Sequence, residues 1–340
     1  MNIGILTGGG DAQGLNSVIQ GILWKAKKEG FDVYGIQRGY KGLIESDFKL
    51  MKIEDFEEIF KVGGTVLKTS RTNPYKSGED VKKALETINK NFDALIAIGG
   101  DDTLGAANKL HKDGAAVIGV PKTIDNDLDN TDFTIGFQSA AAIAAEAVQN
   151  LHTTAKSHER VVICEIMGRH AGWITVYAGL AGGAHIILLP EKPFDIDAVC
   201  RVIKKRYDGG ANYAIIACSE GAKPKEIKDL VTVTPEKDEF GQVRLGGIGE
   251  LLAEEIEKIL GVTTRSVVLG HLQRSGSPNT FDRVFGLRLG VKAVELVKEK
   301  KFGYGLSLKG SKIVALPLND LVGKLKLVDE EFLELTEIFS

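Results

Sequence analysis

Two carboxylates, Asp125 and Asp127, stand one residue apart in the motif that follows an apolar run, residues 115–120. The run is short and partly β-branched, so it predicts a buried strand with both acids in the loop at its carboxyl end. Lys122 and Thr123 precede the acids. Like charges this close repel one another unless a metal ion, a cation or a proton-accepting role explains them. A polar turn with solvated acids is the alternative that this stretch alone leaves open.

Glycine-rich turns follow two other predicted strands. The first turn, residues 8–11, follows residues 2–7, and the second, residues 99–102, ends in Asp101 and Asp102. Glycines between a strand and a helix let backbone N–H groups face an anion, which the helix dipole also favours. The turns therefore predict phosphate-binding loops, with a tight strand-to-helix turn as the alternative. Neither has the spacing of a Rossmann fingerprint or a P-loop. One acid would cap the helix, whereas two adjacent acids suggest a bound cation.

Cationic side chains accompany the same predicted strand ends. Arg71 lies among glycine and hydroxyl residues, and His271 and Arg274 lie in a glycine-rich loop. Guanidinium groups hold phosphate through paired hydrogen bonds, although a lone arginine is often only a surface charge. Further arginines near strand ends are Arg160, Arg169 and Arg265. Glycine loops, paired acids and arginines together are what phosphoryl transfer requires, so we expect a kinase-like transferase of a phosphorylated metabolite.

The elements that must position these groups alternate between strand and helix along most of the chain. This order predicts an α/β fold with two doubly wound, mainly parallel sheet domains. Ligands of such sheets bind beyond the carboxyl ends of the strands, so we expect the site in the cleft between the two domains. At 340 residues the chain is long enough for both.

The composition excludes several classes of protein. A hydrophobic content of 43%, a charged content of 26% and a net charge of -3 are those of an ordinary globular protein, not of a nucleic-acid-binding or membrane surface. Cys164, Cys200 and Cys218 lack the spacing of a zinc site or a disulfide scaffold. The chain opens on a predicted strand, which leaves no room for a signal peptide, and no run approaches the roughly 20 apolar residues of a membrane span. We therefore expect a cytoplasmic protein.

Six short motifs occur in one order along the chain. They are Gly9-Gly10-Asp11 with Gly14-Leu15-Asn16, Gly99-Gly100-Asp101, Thr123-Ile124-Asp125-Asn126-Asp127, Met167-Gly168-Arg169, Glu220-Gly221, and Gly270-His271-Leu272-Gln273-Arg274. Together they resemble the signature of the phosphofructokinase family. The resemblance implies that family's fold and the transfer of a phosphoryl group to the 1-hydroxyl of fructose 6-phosphate, giving fructose 1,6-bisphosphate.

The resemblance also implies a role for each matching residue. Asp125 would be the base that deprotonates the 1-hydroxyl, with Asp127 beside it and Asp101 holding Mg²⁺. Lys122 and Arg169 would assist catalysis. The residues implied to contact the phosphoryl donor are Gly10, Arg71, Asp102 and Lys122. Those implied to hold fructose 6-phosphate are Thr123, Arg160, Met167, Gly168, Arg169, Glu220, Arg265, His271 and Arg274.

In the family, the positions of Arg160 and Arg265 reach the sugar phosphate across a subunit boundary. The resemblance thus implies a homodimer or homotetramer with shared sites. It also suggests a donor domain of residues 1–137 plus about 276–303, and a sugar domain of residues 138–275 plus about 304–340.

Asp102 and Lys122 favour pyrophosphate over ATP, because ATP-using relatives typically have glycine at both places. A carboxylate at position 102 would oppose the α-phosphate of ATP, since like charges a few Å apart in a partly dry site cost on the order of a few kcal/mol. Lys122 would place an ammonium beside a small, highly charged donor. The pairing is similar to that of the pyrophosphate-dependent branch, although a plain salt bridge between the two residues is the alternative.

Three rival hypotheses stay open. One is an ATP-dependent 6-phosphofructokinase, another is a non-catalytic regulatory subunit that binds sugar phosphate, and a third is an enzyme with another acceptor such as sedoheptulose 7-phosphate. Gln20 and Trp24 stand where bacterial ATP enzymes carry two arginines for effectors. We therefore expect a non-allosteric, reversible enzyme of glycolysis and gluconeogenesis.

Overall fold

The structure, a computed structural model, describes residues 1–225, 232–237 and 243–338. Within these residues the strands form sheets of eight and four strands and one two-stranded hairpin. The strands of the eight-stranded sheet are β1 (Asn2–Thr7), β2 (Asp32–Ile36), β3 (Phe48–Leu50), β4 (Ala94–Gly99), β5 (Val117–Thr123), β6 (Ile135–Gly136), β13 (Tyr304–Lys309) and β14 (Lys312–Pro317). Those of the four-stranded sheet are β7 (Val161–Ile166), β8 (Ile186–Leu188), β9 (Ala214–Ser219) and β12 (Thr264–Val268). The hairpin consists of β10 (Thr232–Lys237) and β11 (Val243–Leu245).

The two large sheets have the predicted strand directions. The first runs in the order β14-β13-β5-β4-β1-β2-β3, with β6 paired to β5. Its interior neighbours are parallel, and its edge strands β3 and β14 are antiparallel to their partners. The second sheet, β12-β7-β9-β8, is parallel throughout. The expected α/β fold with mainly parallel sheets is confirmed.

Helices cover both faces of each large sheet. They are α1 (Leu15–Glu29), α2 (Tyr40–Glu45), α3 (Gly78–Asn91), α4 (Asp101–Lys112), α5 (Phe137–Ser157), α6 (Trp173–Gly182), α7 (Ile196–Asp208), α8 (Ile248–Leu260), α9 (Thr280–Lys298), α10 (Leu318–Leu321) and α11 (Glu330–Ile338). Along β4, Ile96 joins the apolar cluster under α1 and α9, whereas Leu95 and Ala97 join the cluster under α3 and α4. This alternation follows from the two-residue period of a strand. In the described part of the chain, no helix combines the length and apolar character needed to cross a bilayer.

Helices α1 and α9 pack backbone against backbone because glycines line their crossing. A Cβ atom placed on Gly21 would lie 2.3 Å from the carbonyl oxygen of Leu287, and one on Gly290 would lie 2.3 Å from that of Val18. No larger residue fits at these two positions without a shift of the backbone. The close crossing supports the strands whose ends carry the glycine loops.

A buried carboxylate fixes the start of α5 against α9. Asp282, in the first turn of α9, accepts hydrogen bonds from the backbone N–H groups of Gly136 and Ser139 and from the Ser139 hydroxyl. Burial raises the pKa of Asp282. Since α5 has no side-chain cap of its own, Asp282 satisfies two of the backbone N–H groups at its N-terminus. It thereby positions β6, which directly precedes α5.

Two expectations need correction. The strand predicted for residues 115–120 continues to Thr123, because Lys122 and Thr123 pair with β6; both residues are therefore part of β5 and not of the loop. Residues 304–317, which the sequence analysis assigns to the sugar domain, form the hairpin of β13 and β14, and β13 pairs with β5 in the first sheet. Only the chain beyond this hairpin reaches the second unit, where Phe332 and Leu333 join its apolar cluster.

The α1–α9 crossing gives a prediction about stability. Gly290→Ala should lower the free energy of unfolding by about 1–3 kcal/mol, because the added methyl group meets backbone. The matched control is Gly105→Ala in α4, where a Cβ meets no atom within 4 Å. That change should raise the free energy of unfolding by about 0.4–1 kcal/mol, since alanine loses less backbone entropy in a helix. Urea unfolding of both variants measures these two changes. Equal changes in the free energy of unfolding would contradict the described packing.

Candidate active site

A single cleft collects the carboxyl ends of strands from both large sheets. Its lining comes from the loops after β1, β4, β5, β7 and β12, from the start of α4 and from a segment near the C-terminus. The lining residues are Gly9, Gly10, Arg71, Gly100, Asp101, Asp102, Thr103, Lys122, Thr123, Asp125, Asp127, Arg169, His170, Arg274, Gly323, Lys324 and Leu325. The first sheet thus supplies the glycine loops and acids, and the loops after β7 and β12 of the second sheet supply Arg169, His170 and Arg274.

The loop after β1 requires glycine for close approach. A Cβ on Gly8 would lie 2.5 Å from Thr103 Oγ1, and one on Gly10 would lie 2.9 Å from Arg274 Nη1. The N–H of Gly8 donates to the carbonyl of Ile98, and that of Gly9 donates to Ser70. Two of the three glycine N–H groups are therefore used inside the protein. The groups of this loop that can bind an anion are therefore the N–H of Gly10 and the ammonium of Lys122, which the loop carbonyls bind.

Lys122 lies at the centre of the cleft, 3% exposed. Its ammonium donates to the carbonyl oxygen of Gly8 at 3.1 Å and also to that of Gly10. Burial, and next the Arg274 guanidinium, lower the pKa of Lys122 to about 7. Its charge at neutral pH therefore depends on what binds beside it, because an anion favours the protonated form.

The acid pair lies in a fixed turn. Asn126, between Asp125 and Asp127, has a φ of 53, and its side-chain oxygen accepts the N–H of Thr134. The N–H of Asp125 donates to Thr123 Oγ1. Burial and the neighbouring Asp125 carboxylate raise the pKa of Asp127. The second carboxylate one residue away therefore favours a bound proton or a cation on Asp127.

The second sheet supplies a turn organised by Glu220. Its Oε1 accepts the backbone N–H groups of Gly168 and Arg169 at 3.3 and 3.1 Å. Burial, and next Asp125, raise the pKa of Glu220 to about 7. The N–H of Met167 donates to Gln273 Oε1. Arg169 lines the cleft, whereas Met167, Gly168 and Glu220 are not among its lining residues and take part in the hydrogen bonds of this turn.

Besides Met167, Gly168 and Glu220, three more of the expected sugar-binding residues do not line the cleft of this chain. Arg265 forms an ion pair with Glu257 at 3.2 Å, and both side chains are about half exposed. Arg160 and His271 also lie away from the lining. Arg274 does line it, and its Nη1 donates to the carbonyl oxygen of Asp11 at 2.8 Å. Arg274 thus contacts the glycine loop of the first sheet.

Several lining residues have no motif in the sequence that would single them out. His170, which directly follows Arg169, is not among the predicted site residues but lines the cleft. Gly323, Lys324 and Leu325 belong to no motif. They are far in sequence from the glycine loops, and the fold brings them to the cleft. Only the contacts of the folded chain show that these three residues border the cleft.

The carboxylates of the cleft suit a magnesium ion that also binds phosphate. Within the described residues, no three His, Cys, Asp or Glu side chains form a closed metal-binding group. Mg²⁺ does not need one, since it usually takes one or two carboxylates together with water and substrate phosphates. Asp101 contributes to the electrostatic rise in the pKa of Asp127, so the two carboxylates share one region of negative potential. The donor set therefore fits a phosphate-bound Mg²⁺.

Comparisons with known proteins agree with this geometry. The family model described as phosphofructokinase matches residues 2–297. The chain is 48% identical to the pyrophosphate--fructose 6-phosphate 1-phosphotransferase of Dictyoglomus thermophilum, covering 100% of this chain and 98% of that protein. It is 46% identical to the ATP-dependent 6-phosphofructokinase of Corynebacterium efficiens, with 97% of this chain and 96% of that protein covered. The crystal structure of Pichia pastoris phosphofructokinase in the T-state superposes with a TM-score of 0.86 at 28% identity, over 99% of this chain and 39% of that one.

The environment of Lys122 gives a prediction that needs no ligand. In protein labelled with ¹³C at lysine Cε, one resonance should titrate with a midpoint near 7 and vanish in Lys122→Met. Arg274→Met should move this midpoint upward, because removing a nearby positive charge favours the protonated amine. A midpoint at the ordinary value of 10.5 in the unmodified protein would contradict the described burial.

Proposed function

Because the chain belongs to the phosphofructokinase family, we propose that it transfers a phosphoryl group from pyrophosphate to the 1-hydroxyl of fructose 6-phosphate. The products are fructose 1,6-bisphosphate and phosphate, and the activity is that of a diphosphate–fructose-6-phosphate 1-phosphotransferase. The observation that carries the choice of donor is the position of Lys122. Its ammonium is held by two carbonyls of the first glycine loop, in the same cleft as Asp102.

Overall sequence identity does not separate the two donors. Relatives named for pyrophosphate and for ATP are 48% and 46% identical to this chain. We assign the choice of donor to Asp102, in the first turn of α4, and to Lys122. A carboxylate at position 102 opposes the additional phosphate that a nucleotide would bring, whereas an ammonium at position 122 neutralises a donor that consists only of phosphate.

The acid pair provides the proton acceptor. We assign Asp125 as the base that takes the proton of the sugar 1-hydroxyl. Asp127, one residue away, has a raised pKa and holds a proton or a cation beside it. Arg169 supplies a fixed positive charge from the opposite sheet for the phosphoryl group in transfer. Asp101 and Asp127 would hold Mg²⁺, which when bound neutralises the phosphate charge.

The reverse reaction is part of the proposal. Pyrophosphate gives up less free energy than ATP in this role, so the reaction runs both ways and has little need of feedback control. Gln20 and Trp24 stand where bacterial ATP enzymes carry arginines for effectors, and here both make contacts inside the chain. Gln20 hydrogen-bonds with the backbone of Glu57 and Phe60, and the Trp24 ring lies 6.2 Å from the Phe60 ring between centroids. We therefore propose a non-allosteric enzyme of glycolysis and gluconeogenesis.

A homodimer or homotetramer would complete the site. Arg160 and Arg265 do not reach the cleft of their own chain, and the edge strand β12 exposes Val268, while Leu272 follows it on the surface. An unpaired apolar edge of this kind is normally covered. Sedimentation equilibrium that finds only monomers at assay concentration would exclude shared sites.

We also propose a cytoplasmic location, which the free buried thiols Cys164, Cys200 and Cys218 favour. Recovery of the protein from an oxidising compartment would exclude it.

The donor is tested with the purified protein, fructose 6-phosphate and Mg²⁺. We expect kcat/KM to be at least about 100-fold higher with pyrophosphate than with ATP, a margin that buried polar discrimination can supply. Chelating the metal should abolish turnover. A preference for ATP would overturn the proposed donor and leave the family assignment intact.

The same assay tests catalysis against sugar-phosphate binding alone. Asp125→Ser should lower kcat by about 10²- to 10⁴-fold, the usual contribution of a general base. Asp129→Ser is the control, since Asp129 lies two residues beyond the pair and does not line the cleft. Sedoheptulose 7-phosphate as a substitute acceptor shows how strictly the sugar is recognised. No turnover in the unmodified protein would favour a regulatory subunit.

A further inference from the structure

A short segment near the C-terminus, which we call the strap (residues 322–328), crosses from the first sheet to the second at the cleft. On the first side, the N–H of Gly323 donates to Asp101 Oδ1 at 2.7 Å. The N–H of Lys326 donates to the carbonyl oxygen of Asp127 at 2.9 Å. Leu325 forms an isolated antiparallel bridge with Leu128. The strap is therefore bonded to both loops that carry the acids.

The strap is also bonded to the second sheet's unit. The indole N–H of Trp173 donates to the carbonyl oxygen of Lys326 at 3.0 Å, and the Lys326 ammonium lies 4.9 Å from the centre of the Trp173 ring. That ammonium also donates to the carbonyl oxygens of Thr131 and Asp132. Farther on, the N–H of Val328 donates to Glu191 Oε1. These bonds fix the backbone on both sides of residue 324.

Lys324 stands between these anchors and borders the cleft together with Gly323 and Leu325. It is exposed, and it forms no ion pair with any side chain in the described residues. The other lysine of the cleft, Lys122, uses two of its three N–H donors on the carbonyls of Gly8 and Gly10. Lys324 thus adds to the cleft a second ammonium that can turn toward a ligand.

The charges around the strap indicate which ligand Lys324 meets. Gly323 is hydrogen-bonded to Asp101, and Asp102 and Gly100 belong to the same end of the cleft at the start of α4. Arg169, in contrast, comes from the loop after β7 in the second sheet. The strap therefore carries its lysine beside the acids of the first sheet, where a phosphate without a counter-charge would be repelled. A compact ammonium on a long stem suits such a phosphate.

We propose that Lys324 binds the phosphoryl donor and, after transfer, the phosphate that leaves. This inference rests on the proposed function for the identity of the donor, and it adds a donor-binding residue on the C-terminal strap. Pyrophosphate has no nucleoside part through which to gain affinity, so each cation that contacts it weighs more in its recognition. Lys324 would be a determinant of affinity for the donor and would not take part in proton transfer.

The test is the steady-state kinetics of Lys324→Gln in the full chain. With pyrophosphate as donor we expect KM for pyrophosphate to rise about tenfold, the loss of one charge-assisted hydrogen bond. In the reverse direction KM for phosphate should rise similarly, while KM for fructose 6-phosphate stays within about twofold, since the sugar is not contacted. Lys324→Arg should restore most of the affinity. Lys312→Gln, a change of an exposed lysine on the far hairpin, is the matched control.

The possible outcomes separate the role of Lys324 from the identity of the phosphoryl donor. An unchanged KM for pyrophosphate in Lys324→Gln, or an equal rise in the KM of donor and sugar, would overturn the role of Lys324 while leaving the proposed reaction intact. If the unmodified enzyme uses ATP and not pyrophosphate, the proposed donor fails; the same variants then test Lys324 through KM for ATP. Calorimetry with methylenediphosphonate, a non-transferable analogue of pyrophosphate, gives a second readout: tenfold weaker binding by Lys324→Gln supports the inference, and equal binding contradicts it.

Discussion

The buried ammonium of Lys122 constrains the middle of the molecule more than any other group. A cation cannot be taken out of water unless partners replace its hydration. Here two carbonyl oxygens of the first glycine loop do so, and Asp125, Asp11 and Asp127 add favourable charge. The loop after β1 and the end of β5 are therefore held together by one side chain. With its pKa lowered to about 7, Lys122 gains its full charge when an anionic donor arrives, which couples binding to protonation.

A site assembled from two sheets needs ties that fix one sheet against the other. Gln13, after β1, donates to the carbonyl oxygens of Gln273 and Ser275, and Gln273 in turn accepts the N–H of Met167. Asp282 holds the start of α5 against α9. The strap adds a third tie between the acid loops and Trp173. These buried or partly buried polar contacts are specific in direction, so they set the relative position of the sheets where apolar packing alone would allow sliding.

Local sequence was sufficient for the fold class, for most strand and helix positions and for the cleft residues that follow strand ends. Glycines and acids after β1, β4 and β5 converge because parallel strands end at one edge of a sheet. The extension of β5 through Lys122 and Thr123 was not predictable, because it depends on pairing with the two-residue strand β6. The sheet to which residues 304–317 belong was not predictable either, because a hairpin with an apolar face fits the edge of either sheet. The strap was missed because each of its hydrogen bonds uses a backbone N–H or C=O group on at least one side, and such contacts leave little signature in residue type.

Two side chains at the ends of β4 and β5 are sufficient, in this account, to decide which phosphoryl donor the cleft accepts. The most direct measurement is the ratio of kcat/KM for pyrophosphate to kcat/KM for ATP in the double variant Asp102→Gly/Lys122→Gly. We expect the value for pyrophosphate to fall by about 100-fold or more, because a buried ammonium and its hydrogen bonds are lost, and the ratio to move toward ATP. A double variant that retains the kcat/KM of the unmodified protein for pyrophosphate would contradict the account.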